Sequence, residues 1–581
     1  MKVAVIGSGV AGLATAIRVA ARGDIVTLFE KNGTPGGKIS QIRDKGYRFD
    51  TGPSLFTLPN LVDELLSMKS NQIDQSANAN DNAINETGQF INANGKSANS
   101  DVHKVEADTQ SVGADAQSVD TSVRTSLYSK NSFKYFRLEN SCRYFYADST
   151  VFDFFQDTQK LREQIENNTD ENFENILKRL NQSEFIYNLT SDLFIFNSFH
   201  RFSNFLKEEN RSIPLHLHKL GFHRTMHSAN KSLFRDKRIV QLFDRYATYN
   251  GSSPYRAPAT LNMISHLEHN IGAFFPEKGI YSIADSLYKK GVELGVQFEF
   301  NSLVTEVIVE RFKCTGEKKH EICSGENYND NSRDENTSNF VKPWRGKRAV
   351  GVRVNGVSKY FDYVVCDTDV SYAAENMFNG RYRHPLKKRL SRLEPSSSAL
   401  IFYWGINGEF KQLDVHNILF TSNYKEEFNY LFKKRELYSD PTVYIFISKK
   451  VVAGDAPDGC ENWFVMVNAP YNNGQDWQTV IANARKSIIQ KIDKTFNIKI
   501  EDFIDVEHIA SPITIERNTL SSKGALYGSS SNSMFSAFLR HPNTLNKIKN
   551  LSFTGGSTHP GGGIPLCLAS AIIAEKEIYK L

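Results

Sequence analysis

Three glycines near the start of the chain, spaced Gly7-x-Gly9-x-x-Gly12, have the clearest potential for chemistry. They follow a short apolar run at residues 3–6 and open an alanine-rich segment, which is the order of a buried strand, a turn and a helix. In that order Gly7 makes the tight turn, Gly9 lets the backbone approach a pyrophosphate, and Gly12 lets the helix pack on the strand. The N-terminus of the helix offers N–H groups and a partial positive charge to the phosphates. The dinucleotide contacts predicted from this turn are Gly7, Ser8, Gly9, Val10, Ala11 and Gly12.

The residues after the second predicted strand, 25–29, indicate which dinucleotide is bound. Glu30 stands where a carboxylate accepts hydrogen bonds from the adenosine ribose and repels a 2′-phosphate. A Gly-Gly pair and the cation Lys38 follow, a pattern typical of proteins that bind FAD in an extended form, whereas a plain NAD site needs neither. The alternative is a glycine turn before a hairpin. The FAD contacts predicted here are Glu30, Lys31, Gly36, Gly37, Lys38, Gly52, Pro53 and Ser54.

A second glycine turn lies near the other end of the sequence. Residues 551–556 read as a strand ending in glycines, and an alanine-rich helix begins at about Leu566. The positive end of this helix would face the reduced flavin ring or the ribityl chain. His559 is a weak catalytic candidate in this turn, with shaping of the turn before Pro560 as the alternative role. The cofactor contacts predicted here are Gly556, Pro560, Gly561, Gly562, Gly563 and Ile564.

Two such turns at opposite ends predict an α/β fold in which a Rossmann-like FAD-binding domain is assembled from both termini. An α+β substrate domain, an antiparallel sheet with helices, is inserted between them. The predicted division of the chain is 1–68, 275–375 and 501–581 for the FAD-binding domain, 127–274 and 376–500 for the substrate domain, 69–126 for a disordered insertion and 311–348 for a flexible one. The first insertion is rich in Asn, Ser, Ala, Asp and Gln and nearly free of aromatic residues, so it cannot bury enough apolar surface to fold.

The glycine motifs, together with FEKNGTPGGKIS, GYRFDTGPSLF and TGGSTHPGGGIPLCLASA, resemble the bacterial phytoene-desaturase family of carotenoid desaturases and isomerases. YRFDTGPSLFTLPNLVDELL and GALYGSSSNSMFSAFLRHPN resemble its hydroxycarotenoid 3,4-desaturase branch. The resemblance implies hydride transfer from an allylic carbon to flavin N5, with oxygen or a quinone reoxidising the flavin. It implies Val304 as a backbone contact beside the adenine. Weak candidates for contact with the substrate are Phe538, Leu539, Arg540 and His541.

The resemblance also implies a carotenoid drawn from a membrane, and hence a cytoplasmic protein in peripheral contact with the inner face of the cell membrane. An aromatic stripe formed by Phe185, Leu189, Phe196, Phe199 and Phe202 fits either a core-facing helix or such an interfacial surface. The excess of Phe (40) and Tyr (24) over Met (7) allows the same two interpretations. No apolar run reaches the ~20 residues that span a bilayer.

Composition and remaining motifs exclude several other functions. The 70 basic and 65 acidic residues give a net charge of only +5, which argues against nucleic-acid binding. Six cysteines in 581 residues argue against a disulfide-built scaffold and suit a reducing cytoplasm. A metal is conceivable at the histidines of residues 216–227 or at Cys314, His320 and Cys323, but the ligand spacings favour no metal site. The alternatives left open are another desaturase or an isomerase of the same fold, and a non-catalytic lipid-escort protein.

Overall fold

A nine-stranded, largely parallel sheet forms the centre of the fold, as the computed structural model shows for residues 1–70, 124–130, 133–314, 344–533, 536 and 538–581. Lys2–Ile6 lies between Ile25–Phe29 and Tyr363–Cys366, and Ile548–Phe553 pairs with Tyr363–Cys366 on the far side. Strands from both ends of the chain therefore lie in one sheet, and the predicted assembly of this sheet from both termini is confirmed. The remaining strands of this sheet are Gln297–Glu299, Val304–Cys314, Trp344–Val354, Val357–Tyr360 and Thr544–Leu545.

Two terminal helices cover one face of this sheet. Val10–Ala21 is buried along its whole length and packs against Ile564–Tyr579. Glu575 on the second helix accepts hydrogen bonds from Arg18 (3.1 Å) and Arg22 (2.6 Å) on the first. Apolar helices that begin at glycine turns are thus held side by side, and both turns point to the same edge of the sheet.

A seven-stranded, mostly antiparallel sheet forms the second layer, and its strands in spatial order are Ile504–Ala510, Ser398–Ile406, Glu461–Ala469, Val443–Ile447, His416–Leu419, Asn140–Phe145 and Val151–Phe155. The sequence predicts strands at 399–404, 442–447 and 462–468, and all three are confirmed. Ile504–Ala510 pairs with Ser398–Ile406 and therefore belongs to this sheet, although the predicted boundary at residue 500 placed it with the FAD-binding part. A strand edge recruits its partner by backbone pairing, which residue composition does not reveal.

The strand Ser398–Ile406 is buried on both faces, and successive side chains point to opposite sides. Phe402 and Trp404 pack against the long helix Trp477–Phe496. Ile401 and Tyr403 point the other way and line an internal cavity. This alternation makes one face of the sheet a core and the other the floor of the cavity.

A helical region follows the first strands of this sheet, as predicted for residues 154–267. The residues of the predicted aromatic stripe do not share one surface. Phe185 is exposed, Phe196 packs on the main core and Phe199 packs on Phe194. No helix in the described part of the chain is both long and apolar enough to cross a membrane. The helices of this region are Thr158–Asn168, Phe173–Ser191, Met226–Leu233 and Lys237–Asp244, with short 3-10 or π turns at Asp192–Phe196, Phe202–Leu206, Glu208–Asn210, Pro214–Lys219, Arg245–Asn250, Ala259–Met263 and His266–Ile271.

The remaining elements connect the two layers. Most of the two predicted insertions, residues 71–123 and 315–343, lies outside the described residues. The end of the first insertion enters the strand Arg124–Lys130, which pairs with Phe133–Leu138, so residues 124–126 are ordered in a sheet and the predicted disorder is wrong for them. The other strands are Ser40–Asp44, Tyr47–Thr51 and Phe274–Pro276. The other α-helices include Asn60–Ser67, Tyr281–Glu293, Val370–Asn376, Lys387–Leu390, Tyr424–Asn429 and Pro512–Thr519.

Candidate active site

A cavity of about 830 Å³ lies between the two layers. One end is formed by the two glycine turns and the other by the inner face of the seven-stranded sheet and part of the helical region. Its volume is at the upper end of the range for small-molecule sites. The two remote glycine motifs therefore meet in one place.

Most of the predicted cofactor residues line this cavity. Those on its wall are Gly7, Gly9, Val10, Ala11, Glu30, Lys31, Gly36, Gly37, Lys38, Gly52, Pro53, Ser54, Val304, Gly556, Gly562, Gly563 and Ile564. Ser8, Gly12, Pro560 and Gly561 lie behind the wall. Gly12 has the predicted packing role, since a Cβ atom there would lie 2.1 Å from the carbonyl oxygen of Gly7.

The glycines leave a groove that side chains would fill. A Cβ atom on Gly37 would lie 3.1 Å from Cα of Gly9, and Gly37 also has a positive φ of 61°. A Cβ atom on Gly556 would lie 3.3 Å from Cα of Gly562 in the second turn. Both turns thus bring bare backbone to the cavity, which is what the close approach of a dinucleotide requires.

Glu30 is buried and held in a fixed orientation. One carboxylate oxygen accepts hydrogen bonds from the backbone N–H (2.9 Å) and the hydroxyl (2.8 Å) of Ser8. The other accepts from the backbone N–H of Asn32 (2.8 Å). Ser8 thus acts by positioning Glu30, and the carboxylate keeps lone pairs for a ribose hydroxyl on the cavity side.

Lys38 brings a cation to the same end of the cavity. Its Nζ donates to the carbonyl oxygen of Leu526 (2.6 Å). Burial lowers the pKa of Lys38, while Asp369, Cys567 and Asp367 act in the opposite direction. An ammonium group at this end, hydrogen-bonded to a neutral carbonyl oxygen, is a suitable counter-charge for a phosphate.

Asp367 is a feature of this end that the sequence reasoning did not assign to the site. Its Oδ2 accepts the backbone N–H of Gly12 (2.9 Å), and a Cβ atom on Gly9 would lie 2.5 Å from the same oxygen. Burial, and to a smaller extent Glu30, raises the pKa of Asp367 to about 7, although the Gly12 N–H and Lys38 lower it. Asp367 could have been found from its position directly after the strand Tyr363–Cys366, because ligands of such sheets bind at the carboxyl ends of the strands.

A polar cluster lies farther along the wall of the same cavity; it is defined here as Ser54, Arg245, Tyr249, Glu268, His416 and Tyr444. Arg245 donates to Glu268 (3.0 Å) and to the hydroxyl of Tyr249 (3.0 Å), and the Tyr249 hydroxyl donates to the second oxygen of Glu268. Burial would raise the pKa of Glu268, but Arg245 and His269 outweigh it and hold that pKa below its ordinary value. The cluster therefore contains a buried ion pair.

The second half of the polar cluster is a chain of three side chains. The hydroxyl of Tyr444 is 2.6 Å from that of Ser54 and 2.7 Å from Nδ1 of His416. Nε2 of His416 has no hydrogen-bond partner among the residues that the structure describes. Burial, together with the charge of Arg245, lowers the pKa of His416 to about 4 although Glu268 opposes this, so the imidazole is neutral near pH 7. No local motif marks these residues, and the sequence reasoning missed all but Ser54.

His559 does not line the cavity. Its Nε2 is 2.9 Å from the carbonyl oxygen of Asn197, and burial lowers the pKa of His559 to about 3. The ring thus ties the second glycine turn to the helical region, and its predicted catalytic role finds no support in the geometry.

The four predicted substrate contacts are also absent from the cavity wall. Phe538 packs on Phe194 and Phe222, the carbonyl oxygen of Leu539 accepts from Arg389, Arg540 donates to Tyr527 and Ser531, and His541 faces His384. The structure thus places these four residues in protein packing outside the cavity lining.

The histidines of residues 216–227 form no metal site in the structure. Nδ1 of His227 pairs with Asp244 (2.6 Å), and His216 contacts the carbonyl oxygen of Ser212 (3.0 Å). Across the described residues, no group of three or more His, Cys, Asp or Glu side chains is placed to hold a metal ion.

Comparison with known proteins places this geometry in a family. The sequence profile described as "Flavin containing amine oxidoreductase" matches residues 10–322, which is more than half of the chain. The chain belongs to this family. Its sheets and cavity therefore form a flavoenzyme, and the predicted α/β fold is confirmed.

Curated relatives extend over the whole chain. The 1-hydroxycarotenoid 3,4-desaturase of Flavobacterium sp. (strain P99-3) is 37% identical over 98% of this chain and 98% of that protein. A phytoene desaturase of Fusarium fujikuroi is 24% identical over 100% of this chain and 89% of its own length. The resemblance to carotenoid desaturases seen in the motifs is confirmed.

Solved structures support the fold alone. An oxidoreductase from Methanosarcina mazei has a TM-score of 0.55 at 12% identity, covering 99% of this chain and 100% of that one. Cyclohexylamine oxidase from Brevibacterium oxydans IH-35A has a TM-score of 0.54 at 11% identity, covering 100% and 98%.

Proposed function

We propose that this protein is an FAD-dependent carotenoid desaturase that introduces a C–C double bond into a long polyene, by 3,4-desaturation of a 1-hydroxycarotenoid. The observation that carries the proposal is the joining of both glycine turns to a long apolar floor in one cavity. The 37% identity over nearly the full length of a 1-hydroxycarotenoid 3,4-desaturase supports the choice of reaction.

The residues present fit FAD. Bare backbone at Gly9, Gly37 and Gly556 would admit the pyrophosphate and ribityl chain, and Glu30 would accept from the adenosine ribose. Lys38 would supply positive charge beside the phosphates. When bound, FAD supplies a two-electron acceptor that takes a hydride at N5.

The chain's own contribution to the reaction is positioning and the exclusion of water. Ile401, Tyr403, Phe464 and Met466 form an apolar floor on which an extended polyene would lie. A conjugated chain spreads the positive charge that hydride loss creates, so the neighbouring proton leaves without a strong base. We therefore assign no catalytic acid or base, and expect the rate to depend on how closely the allylic carbon is held.

Exposed apolar side chains on the helical region suit access of the substrate from a membrane. Phe205, Leu206 and Leu215 are 37%, 61% and 75% exposed, and the cations Lys207 and Arg211 lie beside them, together with the acids of residues 208–209. Exposed apolar side chains with adjacent cations suit peripheral contact with an anionic lipid surface. We propose contact with the inner face of the cell membrane from the cytoplasm, and oxygen or a quinone as the electron acceptor.

The decisive experiment is a substrate panel. The flavin-loaded protein is incubated with liposomes containing phytoene, lycopene or a 1-hydroxycarotenoid, and products are identified by absorption spectra and mass. We expect a red shift and the loss of two hydrogens with the 1-hydroxycarotenoid. Conversion of phytoene instead would indicate another desaturase, and an unchanged mass with a rearranged double bond would indicate an isomerase. A purified protein that takes up no FAD would favour a lipid-escort role.

A further inference from the structure

The polar cluster is unusual because it brings a buried ion pair and a buried imidazole to the wall of a cavity whose floor is apolar. A wholly apolar ligand in contact with it would leave Nε2 of His416 and the remaining hydrogen-bonding capacity of the Ser54 hydroxyl unmatched. Burying such groups without hydrogen-bond partners costs free energy. The cluster therefore favours a ligand with a polar group at this point along its length.

The hydrogen-bonding capacity of the cluster defines that polar group. Ser54, Tyr444 and His416 form a chain that can be protonated in two directions. In one direction the Ser54 hydroxyl is left as a donor and Nε2 of His416 as an acceptor. In the other direction Nε2 carries the proton and Ser54 accepts. Either way the chain keeps one donor at one end and one acceptor at the other. A ligand hydroxyl can pair with the Ser54 end in both protonation states, because a hydroxyl both donates and accepts.

The place of the cluster agrees with the position of that hydroxyl. Ser54 follows Gly52 and Pro53, which are predicted cofactor contacts on the cavity wall. In a 1-hydroxycarotenoid undergoing 3,4-desaturation, the hydroxyl-bearing carbon is only two carbons from the bond that reacts. A hydroxyl receptor must then lie beside the cofactor segment, and Ser54 provides that link.

We propose that the polar cluster is the receptor for the hydroxyl of the substrate, with Tyr444 and His416 as the residues that determine specificity for a hydroxylated end group. This inference rests on the proposed function and deepens it. The buried ion pair of Arg245 and Glu268 holds Tyr249 and the adjoining wall in a fixed position.

Two nearly isosteric variants test the inference. Tyr444→Phe removes the central hydroxyl, and His416→Phe removes the unpartnered nitrogen while keeping a ring that stacks on Phe446. His384→Phe is the matched control, since His384 is equally buried and outside the cavity wall, and burial likewise lowers its pKa to about 4. Circular dichroism and flavin content show whether each variant is folded and loaded.

The measurement compares a 1-hydroxycarotenoid with a polyene of the same skeleton that lacks the hydroxyl, by Kd from carotenoid absorption and by kcat/KM. We expect the wild-type protein to prefer the hydroxylated ligand by on the order of tenfold to hundredfold, because a site built for a hydroxyl rejects an analogue without it. Both variants should lose most of that preference through weaker binding of the hydroxylated ligand, and His384→Phe should keep it.

Failure of the inference is distinguishable from failure of the proposed function. Equal Kd values for the two ligands in the wild type, or a preference that survives in both variants, would overturn the inference even if desaturation is observed. A preference for the hydroxylated ligand that the variants abolish would support the receptor even if neither ligand is desaturated. In that case only the proposed function would be contradicted. Binding of neither ligand would overturn both.

Discussion

The glycine-rich end of the cavity and the polar cluster differ in how their residues are distributed along the chain. The glycine-rich end comes from short contiguous motifs, each a strand, a turn and the start of a helix. The polar cluster draws single residues from the segment after Tyr47–Thr51, from the helical region and from two strands of the seven-stranded sheet. The first end depends on local backbone geometry, and the second exists only after the two layers have packed.

The energetics of the two ends differ for the same reason. At the glycine-rich end a substitution acts by filling space that a cofactor needs, so we expect binding to change more than stability. In the polar cluster a substitution of Arg245 or Glu268 acts on a buried ion pair whose partners are 23 residues apart in sequence, so we expect stability to change first. Four predictions test this contrast, from the largest effect to the smallest.

Arg245→Met should have the largest effect. It leaves Glu268 buried without its cation, and removing one partner of a buried pair typically lowers the free energy of unfolding by ~3–5 kcal/mol. Urea denaturation of the flavin-free protein measures the change. Lys289→Met breaks an exposed pair with Asp285 and should cost less than ~1 kcal/mol. Equal effects of the two substitutions would show that burial of the Arg245–Glu268 pair does not add to its effect on stability.

Asp367→Asn should abolish a pH dependence of stability. Because the folded-state pKa of Asp367 is raised from 3.8 to about 7, its favourable contribution to stability is fully present below pH 3.8 and is lost as pH rises through about 7. Asparagine keeps an acceptor for the Gly12 N–H without the charge. Relative to the wild type, the variant should gain on the order of 2–4 kcal/mol between pH 5 and pH 8.

The same substitution should affect the cofactor. The Asp367 carboxylate lies beside the turn that would hold the pyrophosphate, so FAD should bind the wild type more weakly as pH rises. Isothermal titration with FAD at pH 6 and pH 8 measures this. A wild-type affinity that stays constant with pH, or an equal slope in Asp367→Asn, would show that this carboxylate is not part of the cofactor site.

Gly37→Val should weaken FAD binding by about a hundredfold while the protein remains folded. The added side chain would meet Gly9 across the groove and would sit at a positive φ, which a β-branched residue tolerates poorly. Fluorescence titration with FAD gives the affinity. Gly454→Ala is the control, since no atom lies within 4 Å of an added Cβ atom there. Loss of the folded state in Gly37→Val, with FAD affinity unmeasurable for that reason, would contradict a purely local role.

His541→Leu should have the smallest effect. His541 is buried against His384, and its side chain does not line the cavity. We therefore expect kcat/KM for a carotenoid to change by less than about threefold, because sites that share no contacts are only weakly coupled. A tenfold fall in kcat/KM with unchanged flavin content would restore it as a substrate contact and would extend the site beyond the polar cluster.

Sequence reasoning reached the glycine-rich end because its chemistry is written in local spacing. Gly7, Gly9 and Gly12 specify a turn wherever the chain is placed, and strands such as Ser398–Ile406 are apparent from their apolar runs. Arg245 and His416 carry no such signal, since Arg245 pairs with Glu268 23 residues away and His416 pairs with Tyr444 28 residues away. His559 was misleading because a buried histidine that holds a backbone carbonyl has the same sequence context as one that faces a ligand.

The alternation along Ser398–Ile406 assigns packing against the helix behind the sheet and the shape of the cavity to different side chains of one strand. Phe402 and Trp404 are anchored to the long helix behind the sheet, whereas Ile401 and Tyr403 project from the same strand into the ligand space. Trimming or enlarging the forward-facing pair would reshape the compartment for shorter or bulkier pigments while leaving the rear contacts intact. Pigment selection in this scaffold is therefore open to engineering at alternate positions of one strand.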